Sequence, residues 1–248
     1  MGRTGERIPP SIQISPSHLQ KADMTCVPDE DGNLMRIVIS LFLVAVVTFL
    51  GYWLVLDERK HSKAIAYNQR GNVLSELKKY DEAIEHYQQA IKIKINFAEA
   101  YNNLANALGQ KGKLKESIAY YSEAIRFKSD YAEAHSNLGI TLSEQGQFEE
   151  AIGQYRKALQ INPDLFRVHN SLAILLAQRE DFSGASSHYR QAITLYPGFA
   201  KSHNNLGSTL AQQGRFEEAA EHFEKAINID PNYIDARKNL ELAPALTP

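Results

Sequence analysis

Residues 132–165 read AEAHSNLGITLSEQGQFEEAIGQYRKALQINPDL, and residues 166–199 read FRVHNSLAILLAQREDFSGASSHYRQAITLYPGF. Laid over one another, they set His135 on His169, Gly139 on Ala173, Ala151 on Ala185, Tyr155 on Tyr189, Ala158 on Ala192 and Pro163 on Pro197. The same period of 34 continues in both directions without insertion and defines five units, at 64–97, 98–131, 132–165, 166–199 and 200–233. Self-similarity at a fixed period of this length is the signature of stacked repeats, in which each unit packs only on its neighbours.

The recurring places predict what one unit folds into. The fourth place holds Tyr67, Tyr101, His135, His169 and His203, and the eighth holds the small residues Gly71, Ala105, Gly139, Ala173 and Gly207. The twentieth is Ala83, Ser117, Ala151, Ala185 and Ala219, the twenty-fourth is Tyr87, Tyr121, Tyr155, Tyr189 and Phe223, and the twenty-seventh is alanine in every unit. In the first half of a unit, Tyr101, Leu104, Ala105 and Leu108 fall at i, i+3, i+4 and i+7, one apolar stripe on a helix. Ala151, Ile152, Tyr155, Ala158 and Leu159 mark a second stripe, so a unit is a pair of antiparallel helices that approach closely over the small residues. Gly112, Gly146 and Gly214 supply the turn between them, where Lys78 and Glu180 stand in units one and four. Residues 234–242 restart a first helix with a polar outer face, a cap that lets the array end in water, and Pro244 stops it.

These places resemble the tetratricopeptide repeat family, whose 34-residue pattern carries an aromatic, Leu-Gly, Tyr, Ala, Phe and Pro at them. The resemblance covers residues 64–242; Arg70 stands where the family has Leu, and Ile95 and Ser129 stand where Pro is common, which predicts looser ends for the first two units. It implies an all-α, right-handed superhelical solenoid whose first helices line a concave groove that binds peptides or proteins. The groove residues are then Asn68, Asn102, Asn170 and Asn204 at the fifth place, Asn103, Asn137 and Asn205 at the sixth, and Asn72 and Asn106 at the ninth. A carboxamide is both donor and acceptor, so a ladder of them can pair with an extended backbone whatever its side chains; the alternative is that Asn and Ser only solvate an exposed face. His-Ser-Asn-Leu at 135–138 is similar to the repeats of O-GlcNAc transferase and its bacterial relatives, without that enzyme's catalytic domain. The family's carboxylate clamp is matched by Asn106, Asn137 and Arg167 but lacks its cations at Asn102 and Ser171, which removes most of the charge-assisted bonding.

N-terminal to the array, Ile37 to Leu56 run for twenty residues without a charge, enough as a helix to cross ~30 Å of hydrocarbon. Tyr52 and Trp53 sit near its end, where amphipathic rings favour an interface. The run is longer than a cleaved signal core, so it reads as an uncleaved transmembrane helix at 37–56. Arg59, Lys60, Lys63 and Arg70 follow it, against Arg36 alone before it, which places the repeats in the cytoplasm. A start at Met35 would give a short signal-anchor and the opposite, periplasmic or lumenal, placement. Residues 1–34, with Pro9-Pro10 and Ser15-Pro16-Ser17, read as a disordered tail that includes Cys26.

Composition narrows the function. With 27 Lys and Arg against 29 Asp and Glu, the net charge of -2 gives no general pull toward nucleic acid. One cysteine excludes an internal disulfide or a multi-cysteine zinc site. Equivalent histidines on stacked units stand ~10 Å apart, too far to share an ion, and His86, His188 and His222 read as surface residues. No G-x-S-x-G or H-E-x-x-H occurs. The reading is therefore a membrane-anchored scaffold or adaptor, without cofactor, metal or catalysis, whose partner is a protein or extended peptide. The alternatives are a self-assembling structural protein, hence a homo-oligomer, or a regulatory or assembly subunit of a membrane enzyme complex.

Overall fold

A computed structural model of the chain describes residues 33–242, and every regular element among them is a helix. Of the tail predicted at 1–34, residues 1–32 with Cys26 among them lie outside the described residues, as does the stop at Pro244, while residues 33 and 34 are the start of a helix. The chain divides into two compact units at Leu54 and Val55. Helix α1 runs from Asn33 to Glu76, 44 residues that begin in the first unit and end in the second. Its apolar stretch is fully exposed, with Phe42 at 67%, Phe49 at 68% and Tyr52 at 66%, and it is long and apolar enough to cross a membrane. Residues 57–63, DERKHSK, contain no Gly or Pro to break the helix, so the apolar stretch and the first helix of the first repeat are one element.

The repeats follow as α2 (Tyr80–Ile93), α3 (Ala98–Gln110), α4 (Leu114–Phe127), α5 (Ala132–Glu144), α6 (Phe148–Ile161), α7 (Phe166–Gln178), α8 (Phe182–Leu195), α9 (Ala200–Gln212) and α10 (Phe216–Ile229), with α11 (Ile234–Leu242) last. From α3 onward the first helices begin at Ala98, Ala132, Phe166, Ala200 and Ile234, one period apart. The second helices of units one and two end in the same way as the rest although Ile95 and Ser129 replace Pro, since Lys94 and Lys128 take the same extended C-terminal geometry as Asn162.

Pairing within a unit depends on bulk fitted to a gap. The twentieth and twenty-seventh places are completely buried in every unit, and the aromatic at the twenty-fourth is 2–3% exposed. That ring lies against the eighth place so tightly that a Cβ on Gly139 would stand 2.6 Å from Tyr155 Cε1, and one on Gly207 would stand 2.6 Å from Phe223 Cε1. Ser117 fits the alanine position of unit two because its hydroxyl donates to the Ala105 carbonyl at 2.8 Å, leaving no polar atom stranded. Between units, Leu104, Leu172 and Leu206 at the seventh place are fully buried, each contributing ~1.5–3 kcal/mol. Arg70 takes that place in the first unit and is exposed, because among the described residues no preceding second helix covers it; Val73 and Leu77 on the same face are 56% and 65% exposed for the same reason.

Each first helix ends in one turn design. The residue at the turn has positive φ in all five units, between 59° and 79°. The following amide reaches back five residues, as in Gln147 to Leu142 at 2.9 Å and Asp181 to Leu176 at 3.0 Å, a Schellman closure that satisfies orphan carbonyls. Gly112, Gly146 and Gly214 adopt this conformation without steric cost, but Glu180 at φ 62° carries a Cβ there. Glu180→Gly is therefore expected to stabilise the array by about 1 kcal/mol, read as a higher melting temperature by circular dichroism of the full chain in detergent.

Candidate functional site

The candidate binding face is built from one side of α3, α5, α7, α9 and the end of α1, and the asparagines divide on it by depth. Those at the fifth place are buried between units, Asn102 completely and Asn68, Asn170 and Asn204 at 2–6% exposure. Asn103 and Asn137 at the sixth place, Asn205 with them, and Asn72 and Asn106 at the ninth are half-buried and line the groove.

The buried amides join neighbouring units. Each sixth-place Nδ2 donates back to the fifth-place Oδ1 of the preceding unit, from Asn103 to Asn68 at 3.1 Å, Asn137 to Asn102 at 3.2 Å and Asn205 to Asn170 at 3.4 Å. Asn239 of the cap extends the pattern to Asn204 at 3.0 Å, and Ser136 and Ser171 interrupt it in the middle. Asn68 and Asn102 in turn donate to Glu99 Oε1 at 2.9 Å and Glu133 Oε1 at 3.3 Å, holding those exposed carboxylates in place. Inter-unit amide pairing of this kind gives a buried asparagine a structural use alongside any ligand.

Tyrosines from the second helices reach through to the groove floor. The Tyr87 hydroxyl donates to Asn72 Oδ1 at 3.0 Å, and Asn103 Nδ2 donates to the same oxygen at 3.0 Å. Tyr121 hydroxyl donates to Asn106 Oδ1 in the next unit. The groove deepens into three hollows: one of about 450 Å³ bounded by Asn72, Glu76, Glu99, Asn103, Tyr131 and Glu133; one of about 340 Å³ over Asn106, Asn137 and Glu144; and one of about 670 Å³ over Ile174, Lys201, Asn205 and Tyr233. Burial is the first cause that raises Tyr87, Tyr121 and Tyr131, and carboxylates in the same groove add to it: Glu76 and Glu99 for Tyr87, Glu133 and Glu144 for Tyr121. The fifth- and sixth-place amides are legible in the sequence; Glu99, Glu133, Asn239 and the tyrosine hydroxyls were missed, although the second place of the repeat, read down its column, carries the two glutamates.

The histidines correct the sequence reading. His188 and His222 are half-buried, and each meets the fourth-place histidine of its own unit: His169 Nδ1 to His188 Nδ1 at 2.9 Å, and His203 Nδ1 to His222 Nδ1 at 3.1 Å. The partner is the residue nineteen positions on, which the antiparallel helix returns to the same level, and not the equivalent residue one unit away. His169 Nε2 faces the Pro163 carbonyl at 3.0 Å and His203 Nε2 the Pro197 carbonyl at 3.2 Å, so Nε2 carries the proton, Nδ1 accepts, and the partner's Nδ1 donates. Both rings of each pair are neutral in this arrangement. In unit three Gln154 takes the place of the second histidine, its side-chain amide 2.7 Å from His135 Nδ1. No group of three or more His, Cys, Asp or Glu side chains suited to a metal occurs among the described residues.

A solenoid of antiparallel helix pairs with a concave amide-lined face defines a repeat-type interaction scaffold. Residues 71–112 match the family described as TPR repeat, and residues 96–164, 130–198 and 200–233 match families described as tetratricopeptide repeat; the chain belongs to the tetratricopeptide repeat family. Among solved structures it is similar to YrrB, described as a TPR protein with an unusual peptide-binding site, with a TM-score of 0.64 and 25% identity over 77% of this chain and 98% of that one. It is also similar to MamA from Desulfovibrio magneticus RS-1, with a TM-score of 0.63 and 19% identity over 69% of this chain and 97% of that one. The Cut9-Hcn1 structure of the APC/C matches over 75% of this chain and 38% of that one, with a TM-score of 0.61 and 17% identity. No curated protein matches the sequence.

The paired histidines set a pH dependence. Burial is the first cause that holds His169, His188, His203 and His222 below the ordinary imidazole value, His222 at about 4. His169 and Arg156 lower His188 further against Asp181, and Lys225, His203 and Arg190 lower His222 against Glu218. With folded values depressed, the unfolded chain takes up protons first, so stability is full above ~6.5 and declines as pH falls from there toward about 4. Melting temperatures between pH 8 and 4 are expected to fall across that window, and His188→Gln with His222→Gln, which copy Gln154, to flatten the slope.

Proposed function

We propose that this protein is a single-pass, membrane-anchored scaffold that captures an extended protein segment in its concave groove. The observation that carries this reading is the line of half-buried carboxamides, Asn72, Asn103, Asn106, Asn137 and Asn205, bordering three hollows along one face. Each has donor or acceptor capacity toward the groove, and a main chain in extended conformation presents both at regular intervals. Such pairing reads the backbone, leaving selection among sequences to neighbouring side chains. YrrB, similar over nearly all of its length, supports peptide binding on this type of surface.

The anchor is residues 37–56 within α1, and the basic residues Arg59, Lys60, Lys63 and Arg70 that follow it favour a cytoplasmic array. The unit boundaries at 64–97, 98–131, 132–165, 166–199 and 200–233, with a cap at 234–242, are the domain organisation this reading adopts. In its role the protein resembles a receptor more than an enzyme: it concentrates a partner at a membrane surface, where tethering raises effective concentration.

Two measurements test it. Changing Asn103, Asn137 and Asn205 together to Ala is expected to weaken binding to an arrayed set of extended peptides by about 10-fold in a chain that stays helical but melts lower, since the bonds to Asn68, Asn102 and Asn170 go with them; undiminished binding would remove the groove from the mechanism. A C-terminal tag in sealed vesicles is expected to be cleaved by protease added to the cytoplasmic face, whereas protection there would place the repeats on the opposite side.

A further inference from the structure

The charges on the concave face are unevenly distributed along the array, and the asymmetry specifies a ligand. At the second place of successive units stand Glu99, Glu133, Arg167 and Lys201, and at the thirteenth stand Glu76, Gln110, Glu144, Gln178 and Gln212. Four carboxylates therefore line the part of the groove made by units one to three, with no cation at either place. The part beyond carries Arg167 and Lys201 against Glu180 and Asp235.

The four carboxylates are also uncompensated. Every ion pair among the described residues takes its carboxylate from a second helix, as in Asp81 with Lys111, Glu123 with Arg126 and Glu149 with Arg179, and none involves Glu76, Glu99, Glu133 or Glu144. The Lys128 ammonium lies 4.8 Å from the centre of the Tyr131 ring, which lines the same hollow. Two of the carboxylates are held by neighbours: Asn68 fixes Glu99 and Asn102 fixes Glu133, so their orientation is set before any ligand arrives. They border a hollow of about 450 Å³ that also contains Asn72, Asn103, Asn106 and the Tyr131 ring. Its walls thus combine fixed negative charge, amides suited to a main chain, and an aromatic edge suited to the stem of a long cationic side chain. Tyr131 registers the field: burial first, then Glu133 and Glu99, push its phenol up to about 12.

We propose that the groove over units one to three selects an extended segment bearing two Lys or Arg residues three positions apart, one for Glu99 and one for Glu133. The spacing follows from geometry. Equivalent places on neighbouring units are ~10 Å apart. An extended or polyproline-type chain rises ~3.1–3.4 Å per residue, and in the polyproline form residues i and i+3 share one side, ~9 Å apart. The proposal rests on the groove reading above and adds its ligand chemistry.

The test uses the full chain in a zwitterionic detergent and three fluorescent Pro/Ala-rich peptides. They are identical except that the two residues three apart are both Lys, both Gln or both Glu. Anisotropy at 50 mM salt is expected to give the lysine peptide at least about 10-fold tighter binding than the glutamine peptide, the glutamate peptide binding weakest. The advantage should shrink at 300 mM salt, where screening is stronger. It should vanish in Glu99→Gln with Glu133→Gln and persist in Glu217→Gln with Glu224→Gln on α10. The exposed Glu76→Gln with Glu144→Gln supplies a second pair that weakens the same field without touching the asparagine contacts. Equal affinity for the lysine and glutamine peptides, with both lost in the triple-asparagine variant, would overturn the charge proposal and leave the groove reading standing. Binding by no peptide, or binding indifferent to the asparagines, would overturn the groove reading itself.

Discussion

The distance between the two helices of a unit governs the rest of the structure. An aromatic ring at the twenty-fourth place fills the notch left by a residue with one carbon or none at the eighth, and fully buried alanines on either side leave no room for anything larger. Close packing of this kind transmits small changes in volume directly into position. It fixes how deep the tyrosine lies, hence where its hydroxyl emerges, and so the groove floor at Tyr87 and Tyr121 is a consequence of core packing in the layer behind it.

The second level of order is polar. A stack of units joined only by leucines would have an apolar seam tolerant of sliding; the asparagine ladder adds directional bonds that are satisfied in one register only. Because the same amides anchor Glu99 and Glu133, the bonds that align the units also aim charge into the groove. In the proposed reading, stability and recognition share residues. The interruption at Ser136 and Ser171 divides the ladder close to where the groove changes from acidic to mixed charge.

The histidine pairs play a comparable part on the side of units four and five. Each closes a short chain from the second helix through the first helix to the carbonyl of the preceding loop, and it does so only while Nδ1 of the first-helix histidine is free to accept. In unit three a neutral amide, Gln154, stands where units four and five place the second histidine.

Strict periodicity made the helices, their pairing and the solenoid legible in the amino-acid sequence, because each unit repeats the same burial pattern and 34 residues return the chain to an equivalent position. The long apolar run from Ile37 and the turn glycines were equally local signals, and they needed no knowledge of the fold. What the tertiary structure decided is which of two adjacent amides is buried: Asn102 and Asn103 are neighbours in sequence, yet the ~100° turn of the helix sends one between units and the other to the wall of a hollow. It also decided that residues nineteen apart, such as His169 and His188, are partners, since only the antiparallel return of the second helix brings them level. Arg70 shows the same limit: the sequence marked it as a departure from the pattern and as a cation beside the span, and the structure added that among the described residues no helix covers its face. Periodicity encodes what every unit does alike, whereas burial, partner and charge depend on what each unit happens to meet.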